Sequence, residues 1–543
     1  MGTVVYANYA RAEDFQTLGS LGIDCTGKVV IARYSGNYRG LKAKFAEEAG
    51  AAALLIYIDP ADSGYAKGIP YPEGGWQTDT CIQRGSINTL DYPGDPLTPG
   101  REATREAQRL PESEVALPRI PVQPIGYGAA QQILIRMNGP GVPEGWQGGL
   151  PLAYRVEGGE HLRVRVRVDQ RREIVPTANV IATIEGATHP DEWVVIGCHH
   201  DAWGFGASDP TCGLISLLEC SRAFVERAGA GERPARSILF CAWGAEEQGI
   251  IGSTEWVEGR VEELRARVVA YINLDMASMG PDFSAGASPV LRSVIAEAAA
   301  RVPQARDPQR TVLDAWMSRG VSPDNPGQPV CGDLGGGSDH VGFLCHAGIP
   351  SAALACGGSP GSAYHTAFDT LRWYRQTVGE DYEPALMIAR MTCATAGLLS
   401  ERGGLAYDLG LNAAFTRRVL DELAPSIPAE HQGAVERVRV RCADLADVWG
   451  VFVGVREGGN LGDDAPTRLL GVENFWAERD GRDRAWYRNI AVATDPVSGY
   501  GTWTLPQVRA AVRDGVGLGE ALRDLESVVE RQASIVGGLI AGE

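Results

Sequence analysis

The sequence predicts an α/β protein in which a mostly parallel sheet lies between a smaller N-terminal α/β region and a helical C-terminal region. Between residues 178 and about 400, short apolar segments such as EWVVIGC and RVVAYINL alternate with helical stretches, as in a parallel sheet covered by helices. Residues 26–60 have the pattern strand, helix, strand. Beyond residue 403, segments such as LGEALRDLESVVERQASIVGGLI are helical in character.

Length and composition limit the classes of protein to consider. A chain of 543 residues is too long for one ordinary core and predicts two to four domains. A net charge of −18 argues against nucleic acid or an anionic membrane surface as a partner, and no apolar stretch is long enough to span a membrane. The eleven cysteines are dispersed without any CxxC pair, which favours buried free thiols over a disulfide framework.

The N-terminal region contains VVIARY as a strand, LKAKFAEEAG as a helix and AALLIYID as a second buried strand. A stretch rich in Pro, Gly and Asp follows over 69–125 and is predicted to be mostly irregular. LRVRVRVD at 162–169 alternates with period two, which predicts a half-exposed strand. The pattern changes after that strand, so we place a boundary near residue 172.

Potential metal ligands follow three predicted strands at their carboxyl ends, where open α/β sheets bind ligands. His199 follows EWVVIGC, Glu246 and Glu247 follow RSILFCAW, and Asp275 follows RVVAYINL. Each of these residues alone is more typical of an ordinary polar strand end. Their joint placement favours a metal site.

These side chains, with two more on nearby loops, match the donors of a paired zinc site. Zinc takes histidine nitrogen and carboxylate oxygen, and two metals about 3.5–4 Å apart need a bridging carboxylate with one histidine and one acid each. The sequence supplies that number of ligands in His199, Asp209, Glu247, Asp275 and His365. Glu246 is then free to act as general base towards an activated water.

At these residues the sequence resembles the glutamate carboxypeptidase and transferrin receptor family of co-catalytic di-zinc exopeptidases. The resemblance runs from residue 3 nearly to the end, through VYANYARAEDF, GDPLTPG, GCHHDAW, AEEQGIIGSTEW, YINLD, LGGGSDH and YHTAFDT. It implies a protease-associated (apical) domain over 1–172 that lacks its start, a di-zinc peptidase domain over 173–402, and a helical dimerisation domain over 403–543. It also implies a homodimer.

The resemblance implies a role for each candidate ligand. His199 and Asp275 would hold one zinc ion, Glu247 and His365 would hold the other, and Asp209 would bridge them.

The family pattern also implies the roles of the neighbouring residues. Glu246 would be the general base, and Tyr364 would donate a hydrogen bond to the developing oxyanion. Asp201 would orient His199, whereas His200 would take no part.

The implied substrate pocket differs from that of the glutamate-specific relatives. In those relatives an arginine and a tyrosine bind the substrate α-carboxylate, and these positions correspond to Arg84 and Tyr500, with Gly337 also in the pocket. The asparagine and lysine that recognise the glutamate side chain correspond to Arg155 and Gly499. The point charge of the lysine is lost, although Arg155 could partly replace it.

A cluster of arginines that favours acidic residues across the scissile bond is also missing. Its counterparts fall in ASMGPDFSAG and PSAALACG, which contain no arginine, and Ser338 replaces the asparagine that orients the cluster. We therefore expect a carboxypeptidase or dipeptidase without a preference for acidic residues. An aminopeptidase on the same scaffold and a catalytically silent, receptor-like binding protein are the alternatives.

Two further expectations rest on the resemblance. Glu255 and Glu258 match positions that bind structural calcium in relatives, although two solvated carboxylates on one helix have the same spacing. The chain enters a predicted strand within three residues of Met1, without a signal peptide, whereas the family has a preceding segment. We expect that segment to be missing here, and with it any membrane anchor, so the compartment is not predicted.

Overall fold

The computed structural model of the chain describes residues 1–89, 92–323, 325–401, 406–458, 468–479, 481 and 484–542. The predicted boundary between residues 402 and 403 lies outside the described residues. Of the helices in the described part of the chain, none combines the length and apolar character needed to cross a membrane.

The N-terminal region forms a five-stranded sheet in the order β4-β3-β2-β1-β5. The strands are β1 (Gly2–Tyr6), β2 (Val29–Arg33), β3 (Ala53–Tyr57), β4 (Val122–Ile125) and β5 (Arg163–Val164). The helices are α1 (Ala12–Ser20), α2 (Arg39–Glu48), α3 (Pro60–Ser63) and α4 (Tyr127–Leu134). Strands β1 to β4 are parallel, and β2 and β3 are buried at every position, which explains their continuous apolar sequences.

The predicted strand over 162–169 is much shorter in the structure. Only Arg163 and Val164 pair, antiparallel, with Gly2 and Thr3 at the edge of this sheet. The alternating sequence continues to residue 169, but β1 pairs with none of the residues after Val164.

A second, six-stranded sheet follows in the order β10-β13-β9-β7-β8-β6. Its strands are β6 (Val180–Ile184), β7 (His189–His199), β8 (Arg236–Trp243), β9 (Val268–Asn273), β10 (Asp282–Ala287) and β13 (Ser351–Gly357), while β11 (Pro303–Gln304) and β12 (Asp307–Thr311) form a separate pair. Strands β13, β9, β7 and β8 are parallel, and the two edge strands are antiparallel. The prediction of a mostly parallel sheet is confirmed.

Helices cover this second sheet. They are α5 (Cys212–Gly229), α6 (Ile251–Glu258), α7 (Val261–Arg267), α8 (Arg292–Ala299), α9 (Val312–Met317), α10 (Leu371–Thr377) and α11 (Glu383–Glu401). All four parallel strands point their carboxyl ends to one edge, so the loops that follow them meet there.

The C-terminal region is mainly helical, as predicted. Its elements are α12 (Leu409–Leu423), α13 (Gln432–Glu457), β14 (Val492–Thr494), β15 (Thr502–Thr504), α14 (Pro506–Asp514) and α15 (Leu518–Ala541). Buried residues of these helices, such as Leu445 and Leu522, belong to the same hydrophobic core as the second sheet, whereas the first sheet has a core of its own. The C-terminal helices therefore stabilise the second sheet directly.

Candidate active site

His199 is the last residue of β7, in the interior of the second sheet, and is 1% exposed. Its Nε2 lies 3.2 Å from Asp209 Oδ1 and 3.2 Å from Asp275 Oδ1. Its Nδ1 lies 3.0 Å from the backbone carbonyl oxygen of Asp201. A carbonyl oxygen accepts a hydrogen bond only from a nitrogen that carries a proton, so Nδ1 is the protonated nitrogen. That tautomer leaves the Nε2 lone pair directed at the two carboxylates, as a metal ligand requires.

His365, on the loop after β13, has the same arrangement. Its Nε2 lies 3.1 Å from Asp209 Oδ2 and 3.0 Å from Glu247 Oε2. Its Nδ1 lies 2.9 Å from the carbonyl oxygen of Arg84. Each of the two histidines thus directs Nε2 to a pair of carboxylates, and Asp209 belongs to both pairs.

Asp209 is the shared carboxylate, because each of its oxygens faces a different histidine. Burial alone would raise the pKa of Asp209, but the hydrogen bonds with His199 and His365 lower it. Asp369 holds the segment in place: its Oδ1 accepts from the Ser208 amide at 2.8 Å and its Oδ2 from the Asp209 amide at 3.1 Å. The bridging position predicted for Asp209 agrees with this geometry.

The two groups of candidate ligands together contain three carboxylates and two histidines. Each group, His199 with Asp209 and Asp275, and His365 with Asp209 and Glu247, places its donor atoms within 4.8 Å of one another. Burial raises the pKa of Glu247, and its buried Oε1 has no hydrogen-bond partner among the described residues. Buried carboxylates without partners are costly, and a divalent cation would remove that cost. Imidazole and carboxylate donors in this number fit zinc.

Asp201 has a wider role than the one predicted for it. Its backbone carbonyl orients His199, whereas its carboxylate accepts hydrogen bonds from the amides of Glu246 at 3.0 Å and Glu247 at 3.2 Å. Asp201 therefore contacts residues at the ends of two strands, His199 on β7 and Glu246 and Glu247 after β8. His200 is exposed and its Nε2 lies 3.0 Å from the carbonyl oxygen of Ala178, outside both ligand groups.

Glu246 is buried where β8 ends, and it lines the same cavity as the ligands. Burial raises its pKa well above the ordinary value, opposed by the charge of His199 and reinforced by that of Asp339. Ala245, before it, has a left-handed backbone with φ of 58°. This sharp turn directs two successive glutamates to one site.

A directed chain of hydrogen bonds holds Asp275. Trp243 Nε1 donates to the Tyr271 hydroxyl at 3.0 Å, which donates to Asn273 Oδ1 at 2.9 Å. Asn273 Nδ2 then donates to the Ser338 hydroxyl at 2.9 Å, which donates to Asp275 Oδ2 at 2.6 Å. The chain fixes Oδ2 and leaves Oδ1 facing His199.

A cavity of about 350 Å³ opens over these residues. Three regions of the chain line it: the start of α2 with the loop at residue 86, the strand ends and loops of the second sheet, and residues 499–500. The aromatic and cationic residues of this lining form what we call the cationic wall, and the apolar residues form the apolar wall.

Arg39 supplies the cation, and sequence reasoning missed it. Arg39 is 6% exposed, its Nη2 lies 3.5 Å from the Tyr364 hydroxyl, and its buried Nε has no hydrogen-bond partner among the described residues. Burial alone would lower the pKa of Arg39, but the nearby phenols of Tyr500, Tyr364, Tyr34 and Tyr38 raise it. Nη2 also lies 3.3 Å from His365 Nδ1, so Nε is the donor without a partner. A buried guanidinium beside a cavity is suited to binding a carboxylate.

The structure places Arg84 differently from the prediction. Its side chain is exposed, and Arg84 is not among the described residues that line the cavity. Its backbone takes part instead: its amide donates to the His365 carbonyl oxygen at 2.9 Å and its carbonyl accepts from His365 Nδ1. A Cβ on Gly85 would lie 2.4 Å from the Arg39 guanidinium, so this loop passes directly over Arg39. The backbone of Arg84, and not its side chain, therefore contacts the site.

Tyr500, Gly337 and Tyr364 all line the cavity. The rings of Tyr500 and Tyr38 pack edge to face with centroids 5.6 Å apart, and the Tyr364 ring stacks on His365 at 3.7 Å. Gly337 has φ of 85°, and a Cβ there would lie 2.7 Å from Tyr500 Cδ1. Only glycine at this position leaves room for the Tyr500 ring.

The apolar wall consists of Met276, Ala277, Ala353, Leu354 and Ala355. The last four lie in the two segments whose lack of arginine was noted in the sequence, and Met276 directly precedes the first of them. Gly499 also lines the cavity, but Arg155 donates to the carbonyl oxygen of Gly139 at 3.3 Å and is not one of the described lining residues. Arg155 therefore does not replace the missing lysine in this structure.

Glu255 and Glu258, the predicted calcium ligands, bind protein groups in the structure. Glu255 accepts from the amides of Asp95 at 2.6 Å and Ala103 at 2.5 Å, and Glu258 Oε1 accepts from Trp486 Nε1 at 2.5 Å. They belong to neither of the metal-ligand groups found among the described residues. They anchor the loop over 94–103 to α6, and calcium binding stays a prediction.

Known proteins match nearly the whole chain. Residues 179–380 match peptidase family M28, and residues 1–89 match the PA domain. The Mus musculus protein named Aminopeptidase NAALADL1 is 36% identical over 434 residues, which are 76% of this chain and 57% of that protein. The Arabidopsis thaliana protein named Probable glutamate carboxypeptidase LAMP1 is 32% identical over 532 residues, which are 94% of this chain and 74% of that protein.

The matches therefore span between about half and three-quarters of the length of these relatives. Among solved structures, a zinc aminopeptidase from Bacillus subtilis matches with a TM-score of 0.40 and 18% identity, over 74% of this chain and 75% of that one.

The buried charge of Glu258 makes stability depend on pH. Burial raises its pKa from 4.5 to about 7, so between these values the folded chain holds a proton that the unfolded chain releases. The free energy of unfolding should therefore fall as pH rises from about 4.5 to 7. In Glu258→Gln the fall should be smaller by about 1–3 kcal/mol, after allowance for partial exposure.

Urea unfolding at pH 5 and pH 8 measures this difference, with Glu262→Gln, whose side chain is 89% exposed, as the matched control. Equal pH dependence in the Glu258 variant and the wild type would contradict the assignment. Calcium added to the same samples tests the predicted site, because it should raise the midpoint of thermal unfolding of the wild type but not that of the variant.

Proposed function

The chain belongs to the glutamate carboxypeptidase-like family of M28 zinc peptidases, and we propose that it is a di-zinc exopeptidase that removes the C-terminal residue of dipeptides or short peptides. The observation that carries this proposal is the position of Arg39. A buried guanidinium with an unsatisfied Nε faces the same cavity as the metal-ligand groups. It is suited to a free α-carboxylate close to the scissile bond.

We assign one zinc ion to His199 and Asp275 and the other to His365 and Glu247, with Asp209 shared between them. Three observations support a pair rather than a single ion. The two oxygens of Asp209 face different histidines, each histidine directs Nε2 to its group, and Glu247 Oε1 lacks a protein partner. When bound, two zinc ions would supply Lewis-acid activation of a water molecule and of the scissile carbonyl.

In the proposed mechanism Glu246 moves the proton. It accepts a proton from the attacking water and returns it to the leaving amine. The Tyr364 hydroxyl donates a hydrogen bond to the oxyanion that develops on the carbonyl. Burial raises the pKa of Tyr364 well above its ordinary value, so the hydroxyl keeps the proton that it must donate.

The two walls of the cavity orient the substrate. Arg39 and Tyr500 bind the α-carboxylate of the leaving residue, and the apolar wall faces the residue that contributes the scissile carbonyl. Ala353 and Leu354 on that wall offer no partner for a charged side chain. The substrate is therefore a peptide with neutral side chains rather than one with acidic side chains.

The alternatives differ in what they require of the cavity. An aminopeptidase needs a carboxylate to meet a free amine, but the carboxylates among the described lining residues are the assigned ligands and Glu246. A receptor-like protein needs no general base, whereas Glu246 is buried with its amide held by Asp201. Arg39 thus favours a carboxypeptidase over an aminopeptidase, and Glu246 favours an enzyme over a receptor.

We also infer that two copies pair through the C-terminal helices, as the family resemblance implies. On α13, Val440 and Val451 are 49% and 56% exposed and lie about three helical turns apart, on one face. Sedimentation equilibrium should give twice the mass of the 58.0 kDa chain, and a monomer at micromolar concentration would contradict the pairing.

Replacing the general base should stop catalysis without removing metal. Glu246→Gln should lower kcat by about 10²- to 10⁴-fold, because no other group at that position accepts the proton. Zinc content should stay equal to that of the wild type, measured by atomic emission. Asp209→Asn is the contrasting variant and should lose zinc.

Retained activity in Glu246→Gln would remove Glu246 from the mechanism. An inactive wild type with full zinc content would instead favour the receptor-like alternative.

Substrate sets with blocked ends identify the end from which the enzyme acts. N-acylated dipeptides with free carboxylates should be cleaved, with neutral residues preferred, and free-amine dipeptides with amidated C-termini should not. Arg39→Gln should lower kcat/KM for the first set by about 10- to 100-fold, mainly through KM, because it removes a charge-assisted hydrogen bond.

Arg84→Gln is the matched control, since its side chain is exposed, and it should leave kcat/KM nearly unchanged. Cleavage of only the free-amine set would show an aminopeptidase, and a larger effect in the Arg84 variant would reverse the assignment of the carboxylate ligand.

A further inference from the structure

Two cysteine sulfurs meet in the contact between helices α5 and α11. Cys220 Sγ lies 3.2 Å from Cys393 Sγ, although the residues are 173 positions apart in the sequence. Cys220 is fully buried, whereas Cys393 is partly exposed. One sulfur of the pair can therefore be reached from solvent and the other only through its neighbour.

The helices are already tied together on both sides of this sulfur pair. The Ser216 hydroxyl donates to the carbonyl oxygen of Ala385 at 3.3 Å, and Arg227 Nη1 lies 2.8 Å from Glu401 Oε1. A disulfide has an S–S distance of about 2.05 Å, so the sulfurs need to approach by only about 1 Å. Side-chain adjustment within a fixed helix contact can supply that movement.

We propose that Cys220 and Cys393 are a thiol–disulfide site, oxidised to an intramolecular bridge by exchange with a small-molecule disulfide such as glutathione disulfide. The proposal is independent of the peptidase activity, because neither cysteine lines the catalytic cavity.

The exchange takes two steps. The Cys393 thiolate attacks one sulfur of glutathione disulfide, which forms a mixed disulfide and releases one glutathione thiolate. The Cys220 sulfur, after losing its proton, then attacks the Cys393 sulfur and displaces the second glutathione. Two protein thiols are oxidised, one disulfide is reduced to two thiols, and the two protons end on glutathione.

Exposure and electrostatics give the same order of attack. Cys393 is the partly exposed sulfur, and its hydrogen bond with Cys220 lowers the pKa of Cys393. The same hydrogen bond, with burial, raises the pKa of Cys220. The accessible sulfur is thus also the better source of thiolate.

The bridge would join the helix that follows the metal-bridging segment to the helix packed beside it. Helix α5 begins at Cys212, three positions after Asp209. Because the bridge closes a long loop of the chain, it restricts the unfolded state strongly. We expect the midpoint of thermal unfolding to rise by about 3–10 °C on oxidation.

The test uses the zinc-loaded, full-length protein with glutathione disulfide, followed by alkylation of free thiols and peptide mapping without reductant. We expect one cross-linked peptide pair that contains Cys220 and Cys393, and a count of denatured-state thiols two below the original eleven. Dithiothreitol should restore the count. Eleven free thiols after oxidation, or glutathione left on Cys393 without the cross-link, would overturn the proposal.

Cys393→Ser should abolish both the cross-link and the rise in unfolding temperature. Cys331→Ser is the matched control, because Cys331 is also partly exposed but its sulfur contacts the carbonyl oxygen of Gly332. A cross-link that persists in Cys393→Ser would show that other cysteines form it. Peptidase activity, measured in parallel, is a separate readout and does not decide this outcome.

Discussion

The sharing of one buried carboxylate between two histidines is the interaction on which the rest of the site depends. The two oxygens of a carboxylate have a fixed separation, so His199 and His365 must approach Asp209 from fixed directions. His199 ends a central strand, whereas His365 lies on the loop after β13. Asp369, four residues further along the same loop, accepts hydrogen bonds from the amides of Ser208 and Asp209. The register of the parallel sheet and the conformation of two loops are therefore constrained together.

The recognition cavity depends on contacts between distant regions of the chain. The Tyr38 amide donates a hydrogen bond to the carbonyl oxygen of Ser498 at 2.8 Å, and the Gly336 amide donates one to the carbonyl oxygen of Tyr500 at 3.0 Å. These contacts bring Arg39, the first residue of α2, to the strand ends of the second sheet. The proposed metal ligands thus all lie on the second sheet and its loops, whereas the lining of the cavity depends on how three regions of the chain pack together.

The parts of the structure that were predictable from the sequence have local causes. Buried parallel strands have continuous apolar sequences, and ligands follow the strands at their ends, so His199, Glu247 and Asp275 could be identified. Arg39 could not, because its contact with the cavity depends on docking between regions. The position of Arg84 within its motif predicts a side chain in the pocket, but the structure places only its backbone against His365. Its neighbour Gly85 has no side chain and so leaves room for the Arg39 guanidinium, a contact that is visible only in the folded chain.

The hydrogen-bond chain from Trp243 to Asp275 links the coordination geometry to the aromatic interior. Tyr271, in the middle of that chain, stacks on Phe343 with ring centroids 3.9 Å apart and an angle of 4° between the rings. The orientation of the Asp275 carboxylate, a proposed metal ligand, is therefore linked to the close packing of these rings. Buried aromatic residues that do not line the cavity thus help to position the candidate site, so variation among them would alter the site while leaving every proposed ligand unchanged.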